Sequence, residues 1–192
     1  MPRSRSDTRQ RIRDCALKLF VEKGFGSTSM RDIAHCVGVT EGALYRHFLG
    51  KDELAWHLFS EGFVGLAERL ERRQAAAHGV AAKLDGMLDE FLALFDADPA
   101  LFSFLLLAQH GQLDKVTADM PNPVEIVRRV VAEAMERGEI AAGNANLVAA
   151  LVLGLVLQPA TFAVYGRLTR PLGLRAPDIR RACRRILDLP PS

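Results

Sequence analysis

The sequence predicts an all-α protein in two parts: a three-helix N-terminal domain over residues 1–51, built on a helix-turn-helix, and a larger helical domain over residues 52–192, with about nine helices in all. Three observations carry this expectation. Apolar residues recur at i, i+3, i+4 and i+7 in one segment after another, the period of a helix with one buried face. No segment shows the alternating pattern of a half-buried strand. Finally, the stretch from Thr28 to Lys51, TSMRDIAHCVGVTEGALYRHFLGK, reads as two short helices joined by a tight turn.

The first helix is expected over residues 7–23, where Ile12, Cys15, Ala16, Leu19 and Phe20 form a stripe, and it ends at Gly24. The Gly24-Phe25-Gly26-Ser27 segment lacks the G-x-G-x-x-G spacing and follows no strand, so it is not a nucleotide-binding loop. Ser29 can cap the next helix by accepting a hydrogen bond from a free backbone N–H, and Met30, Ile33, Ala34 and Val37 form its buried side. Gly38 suits the left-handed conformation that closes a helix. Val39 fills the corner, and Thr40 caps a second short helix with Ala43, Leu44 and Phe48 inward. Its other face holds Thr40, Glu41, Tyr45, Arg46 and His47, a set of donors and acceptors richer than solvation needs and suited to a DNA major groove.

A longer helix is expected from Asp52 to about Gln74, with Asp52 and Glu53 placed where the helix dipole favours acids. Leu84, Met87, Leu88, Phe91, Leu92 and Phe95 mark the next helix. Pro99 opens another in a first-turn position, and Pro121 and Pro123 precede one with Val124, Val127, Val131, Ala134 and Met135. The 19 residues from Leu147 to Tyr165 carry no charge, close to the roughly 20 that span a bilayer. Gln158, Pro159 and Thr161 interrupt the run, which favours a buried helix over a membrane span. A helix apolar on all sides needs cover that a small domain supplies on one side only. Ala150 and Gly154, one turn apart, would admit a second helix closely, and the last helix, Pro177 to Leu189, offers Ile179, Cys183 and Ile186 as a companion stripe.

Hydrophobic residues make up 49% and charged residues 25%, a composition that excludes disorder as the dominant state. The net charge is only +2, yet residues 1–13 hold Arg3, Arg5, Arg9, Arg11 and Arg13 against the single acid Asp7, a basic arm suited to phosphate contact. Cys15, Cys36 and Cys183 are odd in number, far apart and without a C-x-x-C pair. They are expected to be reduced thiols, with Cys15 and Cys36 as small core residues and no disulfide framework or zinc site. The arginine-rich start without an apolar run does not resemble a signal peptide, so a cytoplasmic protein is expected. There is no G-x-S-x-G, H-E-x-x-H or P-loop, and His35, His47, His57, His78 and His110 are scattered. No enzyme, cofactor or metal is therefore expected. The C-terminal part interleaves aromatic with isolated polar residues; Phe59, Phe63, Phe91, Phe95, Phe104, His110, Gln158 and Phe162 are the candidates to line a cavity for a small apolar ligand.

TSMRDIA followed by GVTEGALYRHFLGKDEL resembles the DNA-binding domain of the TetR family of bacterial transcription regulators, above all in Leu44-Tyr45-x-His47-Phe48 and Lys51-Asp52-Glu53-Leu54. The remainder of the chain resembles the family only in length and helicity. The resemblance implies a homodimeric repressor on a palindromic operator of double-stranded DNA, released by a small, largely apolar effector, with residues 52–192 as the ligand-binding and dimerisation domain. It places Arg31, Thr40, Tyr45, His47 and Lys51 mainly on phosphates and Gly42, Ala43 and Arg46 near base edges. Glu41 stands where relatives often carry a base, and Ala43 where they often carry a hydroxyl or amide; Glu41 could accept from cytosine N4 and Ala43 touch a thymine methyl. The last two long helices of such proteins form a four-helix dimer interface, which here would take Ala150, Gly154, Ile179, Cys183 and Ile186. The other reading of the same features is a helical adaptor or membrane-tethered interaction protein anchored by residues 147–165.

Overall fold

The structure, a computed structural model, describes the backbone of residues 5–190 and the side chains of that span other than 5, 6 and 107–110. Arg3 and the side chains of Arg5 and His110 thus lie outside the described residues. Among those described the fold is all-α, with no strand. Nine helices follow in order: α1 (Arg5–Glu22), α2 (Met30–Val37), α3 (Glu41–Tyr45), α4 (Lys51–Ala75), α5 (Val80–Ala97), α6 (Pro99–Gln112), α7 (Pro123–Glu136), α8 (Ala145–Val164) and α9 (Ala176–Ile186). Short 3-10 turns cover Leu113–Lys115 and Leu172–Arg175.

The chain forms two compact units, residues 1–62 with 100–118 and residues 63–99 with 119–192. These do not coincide with the 1–51 and 52–192 division the sequence suggests, because the first turns of α4 and most of α6 pack with the N-terminal helices. Gly62 lets α6 approach α4 closely: a Cβ built there would lie 2.8 Å from Leu101 Cδ1. In the first unit α1 packs on α2, burying Ile12, Ala16 and Phe20 on one helix and Ile33, Ala34 and Val37 on the other. The Phe20 ring stacks on Phe104 at 5.5 Å and meets Phe25 at 5.3 Å.

In the second unit α5 touches α7, α8 and α9. Its predicted stripe is buried throughout, from Leu84 to Phe95. Both ends of α5 are tied to residues distant in sequence: Glu139 accepts from the Val80 N–H at 2.6 Å, and Asp96, in the last turn of α5, accepts from the Leu172 and Gly173 N–H groups at 2.7 and 2.8 Å. Along its side, Asp89 and Asp85 pair with Arg180 and Arg184 of α9.

α8 is long and apolar enough to cross a membrane by length and composition, with a mean hydropathy of 2.2. Here its Ala149, Val152, Leu153, Val156, Ala160 and Ala163 side is buried and the helix packs on α7, α5 and α9. The opposite side is a continuous exposed stripe of Leu147, Leu151, Gly154, Gln158, Phe162 and Tyr165, with Leu147 58%, Leu151 51% and Phe162 48% exposed.

Candidate nucleic-acid interface

The helix pair is held by short-range chemistry at each end. Ser29 Oγ accepts from the Asp32 N–H at 3.1 Å while the Asp32 carboxylate accepts from the Ser29 N–H at 2.8 Å, a reciprocal cap that satisfies two donors the helix would otherwise leave free. Hydrogen bonds from Ser29 hold the Asp32 carboxyl below its ordinary range. Ser29→Ala is expected to cost about 1 kcal/mol of N-terminal-unit stability, a typical value for a lost N-cap, read as a shift in the denaturant midpoint. Buried Thr28 donates to the Leu19 and Gly24 carbonyls at 3.2 and 2.9 Å and ties this corner to α1.

α2 ends at Gly38, whose φ of 74° lies in the left-handed region, and the Gly38 N–H returns to Ala34 and His35. Arg11 on α1 donates to the neighbouring Val37 carbonyl, so α1 also fixes the turn. Thr40 Oγ1 accepts from the Ala43 N–H at 3.2 Å and starts α3. Leu44 is the one buried residue of that five-residue helix. Hydrogen bonds from His47 and Phe48 back to the Leu44 carbonyl continue the turn, and Phe48 is buried.

With Leu44 facing in, Thr40, Gly42, Tyr45 and Arg46 are exposed, and Glu41, Ala43 and His47 are half-buried. Arg31, on the first turn of α2, joins this surface through an ion pair of its Nε with Glu41 Oε1 at 2.8 Å. The pair raises the Arg31 pKa, chiefly by the hydrogen bond to Glu41. Lys51 is differently engaged: its ammonium donates to the Phe25 carbonyl at 2.7 Å and lies 4.5 Å from the Phe25 ring centre. Leu49, just beyond α3, is 86% exposed, an apolar residue beside the polar face that helical spacing did not single out.

Two of the three cysteines depart from expectation, while Cys183 is a free, buried thiol. Cys15 and Cys36 are joined in a disulfide between α1 and α2, with their Cα atoms 5.9 Å apart. The bridge forms because packing brings the two helices together, a proximity that a sequence separation of 21 conceals. Cys36 is exposed and Cys15 half-buried, so neither is a core residue.

The predicted effector-pocket residues that are described fall in both units. Phe59 and Phe104 are buried in the first unit and Phe63, Phe91 and Phe95 in the second. Phe91 lines an apolar cavity of about 20 Å³ with Leu84, Leu88, Val156 and Cys183, little more than room for one water. Phe95 carries the Arg170 guanidinium 4.8 Å from its ring centre. Gln158 and Phe162 belong to the exposed side of α8, because they follow Leu151 and Gly154 at helical spacing, and so they do not line that cavity. Of the residues expected at a dimer interface, Ala150, Gly154 and Ile186 are exposed. Ile179 and Cys183 are buried inside the unit, because the Asp85–Arg184 and Asp89–Arg180 pairs turn that side of α9 onto α5.

Residues 12–58, which span α1 to the first part of α4, match the family model of bacterial regulatory proteins of the tetR family. The chain is 48% identical over 65 residues to the HTH-type transcriptional regulator AcrR of Shigella flexneri, a match covering 32% of this chain and 30% of that protein. It is 50% identical over 48 residues to the HTH-type transcriptional regulator SrpR of Pseudomonas putida, covering 25% of this chain and 22% of that one. The matched sequence thus spans under a third of these relatives' length. Similarity of fold extends much further. The fatty acid degradation regulator FadR from Bacillus halodurans superposes with a TM-score of 0.77 at 16% identity, covering 94% of this chain and 96% of that one. FadR from Bacillus subtilis, solved in complex with stearoyl-CoA, gives 0.72 at 20% identity, covering 91% and 97%. AibR, solved in complex with isovaleryl coenzyme A and operator DNA, gives 0.72 at 20% identity, covering 96% and 100%.

Proposed function

We propose, from the match of residues 12–58 to the tetR family model and to curated regulators, that the chain is a TetR-family regulator, a cytoplasmic homodimeric repressor that binds a palindromic operator and leaves it when a small, largely apolar effector binds. The observation that carries this reading is the doubly capped helix pair, which presents Thr40, Gly42, Tyr45 and Arg46 to solvent while Leu44 fixes the helix beneath them. In this reading residues 1–51 bind DNA and residues 52–192 regulate it. Tyr45, His47 and Thr40 address phosphates, and Gly42 lets the backbone approach so that Arg46 and Ala43 reach base edges. Lys51 uses its remaining N–H donors on phosphate while the Phe25 carbonyl fixes its position.

Two heads enter successive major grooves when they stand roughly 34 to 36 Å apart, one DNA turn. The exposed stripe of α8, with Ala150 and Gly154 among small neighbours, is the surface that pairs two copies. α4 runs continuously from Lys51, beside the reading helices, to Ala75 in the second unit. An effector that binds better when α4 is displaced alters head spacing and weakens DNA binding, and by linkage DNA weakens the effector by the same factor, typically about 5- to 150-fold. The acyl-coenzyme A held by two proteins of similar fold supports an effector with an apolar chain.

The experiment is a titration of labelled duplex at several salt concentrations. Arg46→Ala is expected to change sequence preference by about 1 to 3 kcal/mol at one base position, and Tyr45→Ala to weaken all sequences alike. Unchanged preference and unchanged salt dependence in both variants would remove the assignment of this face. Glu41→Gln is expected to free the Arg31 guanidinium for phosphate, tighten binding and steepen the slope of log K against log salt by about 0.9. An unaltered slope would mean that Arg31 makes its contact with the ion pair intact.

A further inference from the structure

We propose that Cys15 and Cys36 are a redox-modification site, a bridge between the arm-bearing helix and the first reading helix that oxidant closes, thiol opens, and whose closed form binds DNA more tightly. The effect on DNA rests on the interface assigned above; the thiol chemistry does not.

Three features of the site point this way. The Cα separation of 5.9 Å lies inside the range a disulfide spans, so closing or opening the bridge needs no movement of α1 against α2. Cys36 is exposed, which admits small oxidants and thiols. The packing beneath the pair is made by Ile12, Ala16, Ile33, Ala34 and Val37, all buried, so loss of the bridge leaves no cavity and both states remain folded. A structural disulfide would be unusual in a reducing compartment that holds DNA, where such bonds are generally transient and redox-sensing. The third cysteine does not compete: Cys183 is buried, and desolvation, with Asp85 nearby, pushes its thiol up to about 11.

With hydrogen peroxide as oxidant, one thiolate attacks the O–O bond, taking one oxygen as sulfenic acid while the other leaves as hydroxide and is protonated to water. The second thiolate then attacks the sulfenic sulfur and expels the remaining oxygen as water. Two thiols lose two electrons, peroxide is reduced to two waters, and a dithiol reverses the step by exchange. Closure joins α1, which carries Arg9, Arg11 and Arg13, covalently to α2, whose Arg31 and C-terminal turn set the position of α3. It therefore removes conformations of the unbound domain that do not match DNA, and less order has to be gained on binding.

The test uses the full chain, reduced with dithiothreitol, freed of it and treated with hydrogen peroxide. The wild type should lose the mass of two hydrogens and yield a Cys15–Cys36 linked peptide. Its affinity for a duplex selected from random DNA should rise about fivefold or more and fall again on reduction. Cys36→Ser and Cys15→Ser should hold the reduced affinity under both conditions. A pair that stays open to alkylation after peroxide overturns the proposal, as does a closed bridge with unchanged affinity. If no duplex is bound in either state, the interface assignment fails, and thermal unfolding still decides the bridge: a higher midpoint for the oxidised wild type, absent in Cys36→Ser, supports it, and equal midpoints end it.

Discussion

Leu151→Asp and Phe162→Asp, singly or together, are expected to convert the dimer to a monomer and to lower affinity for a two-half-site duplex by about 100-fold or more, the range gained when two linked heads bind instead of one. Both side chains lie on the exposed side of α8 and are about half exposed, so the subunit itself loses less packing than at a core position. A carboxylate at either place would be buried without a partner in a helix-to-helix interface, which strongly opposes association. Gly154→Leu is a milder version: a Cβ there meets nothing within 4 Å in the subunit, so any effect must come from the partner. Sedimentation velocity without detergent, followed by anisotropy on one-site and two-site duplexes, checks the result. A wild type that sediments as a monomer, or variants that remain dimeric, would remove this face from the account; wild-type chain recovered only in detergent or with vesicles would favour the membrane-tethered adaptor.

Leu44→Ala should abolish DNA binding from the other direction, by removing what holds the reading helix in place. α3 is only five residues long, far below the length at which a helix stands alone in water, and Leu44 is its one buried side chain, with no exposed surface. Truncation is expected to cost about 2 to 5 kcal/mol in the first unit, the usual range for a buried leucine. The measurement is hydrogen exchange: the amides of His47 and Phe48, bonded to the Leu44 carbonyl, should lose protection while those of α5 keep theirs. Retained protection at His47 and Phe48 would show that the caps alone support the helix.

How legible each feature was in the sequence follows from the range of the interactions that decide it. The helix pair could be read residue by residue because its determinants are local: Ser29 and Asp32 cap each other, Gly38 takes the left-handed turn, and Thr40 starts the next helix, all within a few residues. The α5 stripe from Leu84 to Phe95 could be read for the same reason, since its period alone fixes which side is buried. Orientation of α8 and α9 could not. α8 is apolar on every side, so its period does not reveal which face the subunit covers, and α9 is turned by ion pairs with Asp89 and Asp85, 91 and 99 residues away. The same holds for the Cys15–Cys36 bridge and for Lys51, whose tie to the Phe25 carbonyl depends on how α1 and α4 pack. Composition groups Gln158 and Phe162 with the aromatic interior, yet their spacing from Leu151 and Gly154 places them on the exposed stripe of α8.

Selection of bound duplexes from random DNA with the full chain, followed by sequencing, tests the central claim most directly. The account predicts an enriched inverted repeat whose half-sites are centred about 10 to 10.5 base pairs, or a multiple of that, apart, with Arg46→Ala relaxing the same position in both halves. No enrichment over the starting pool, or an enriched site without two-fold symmetry, would contradict it.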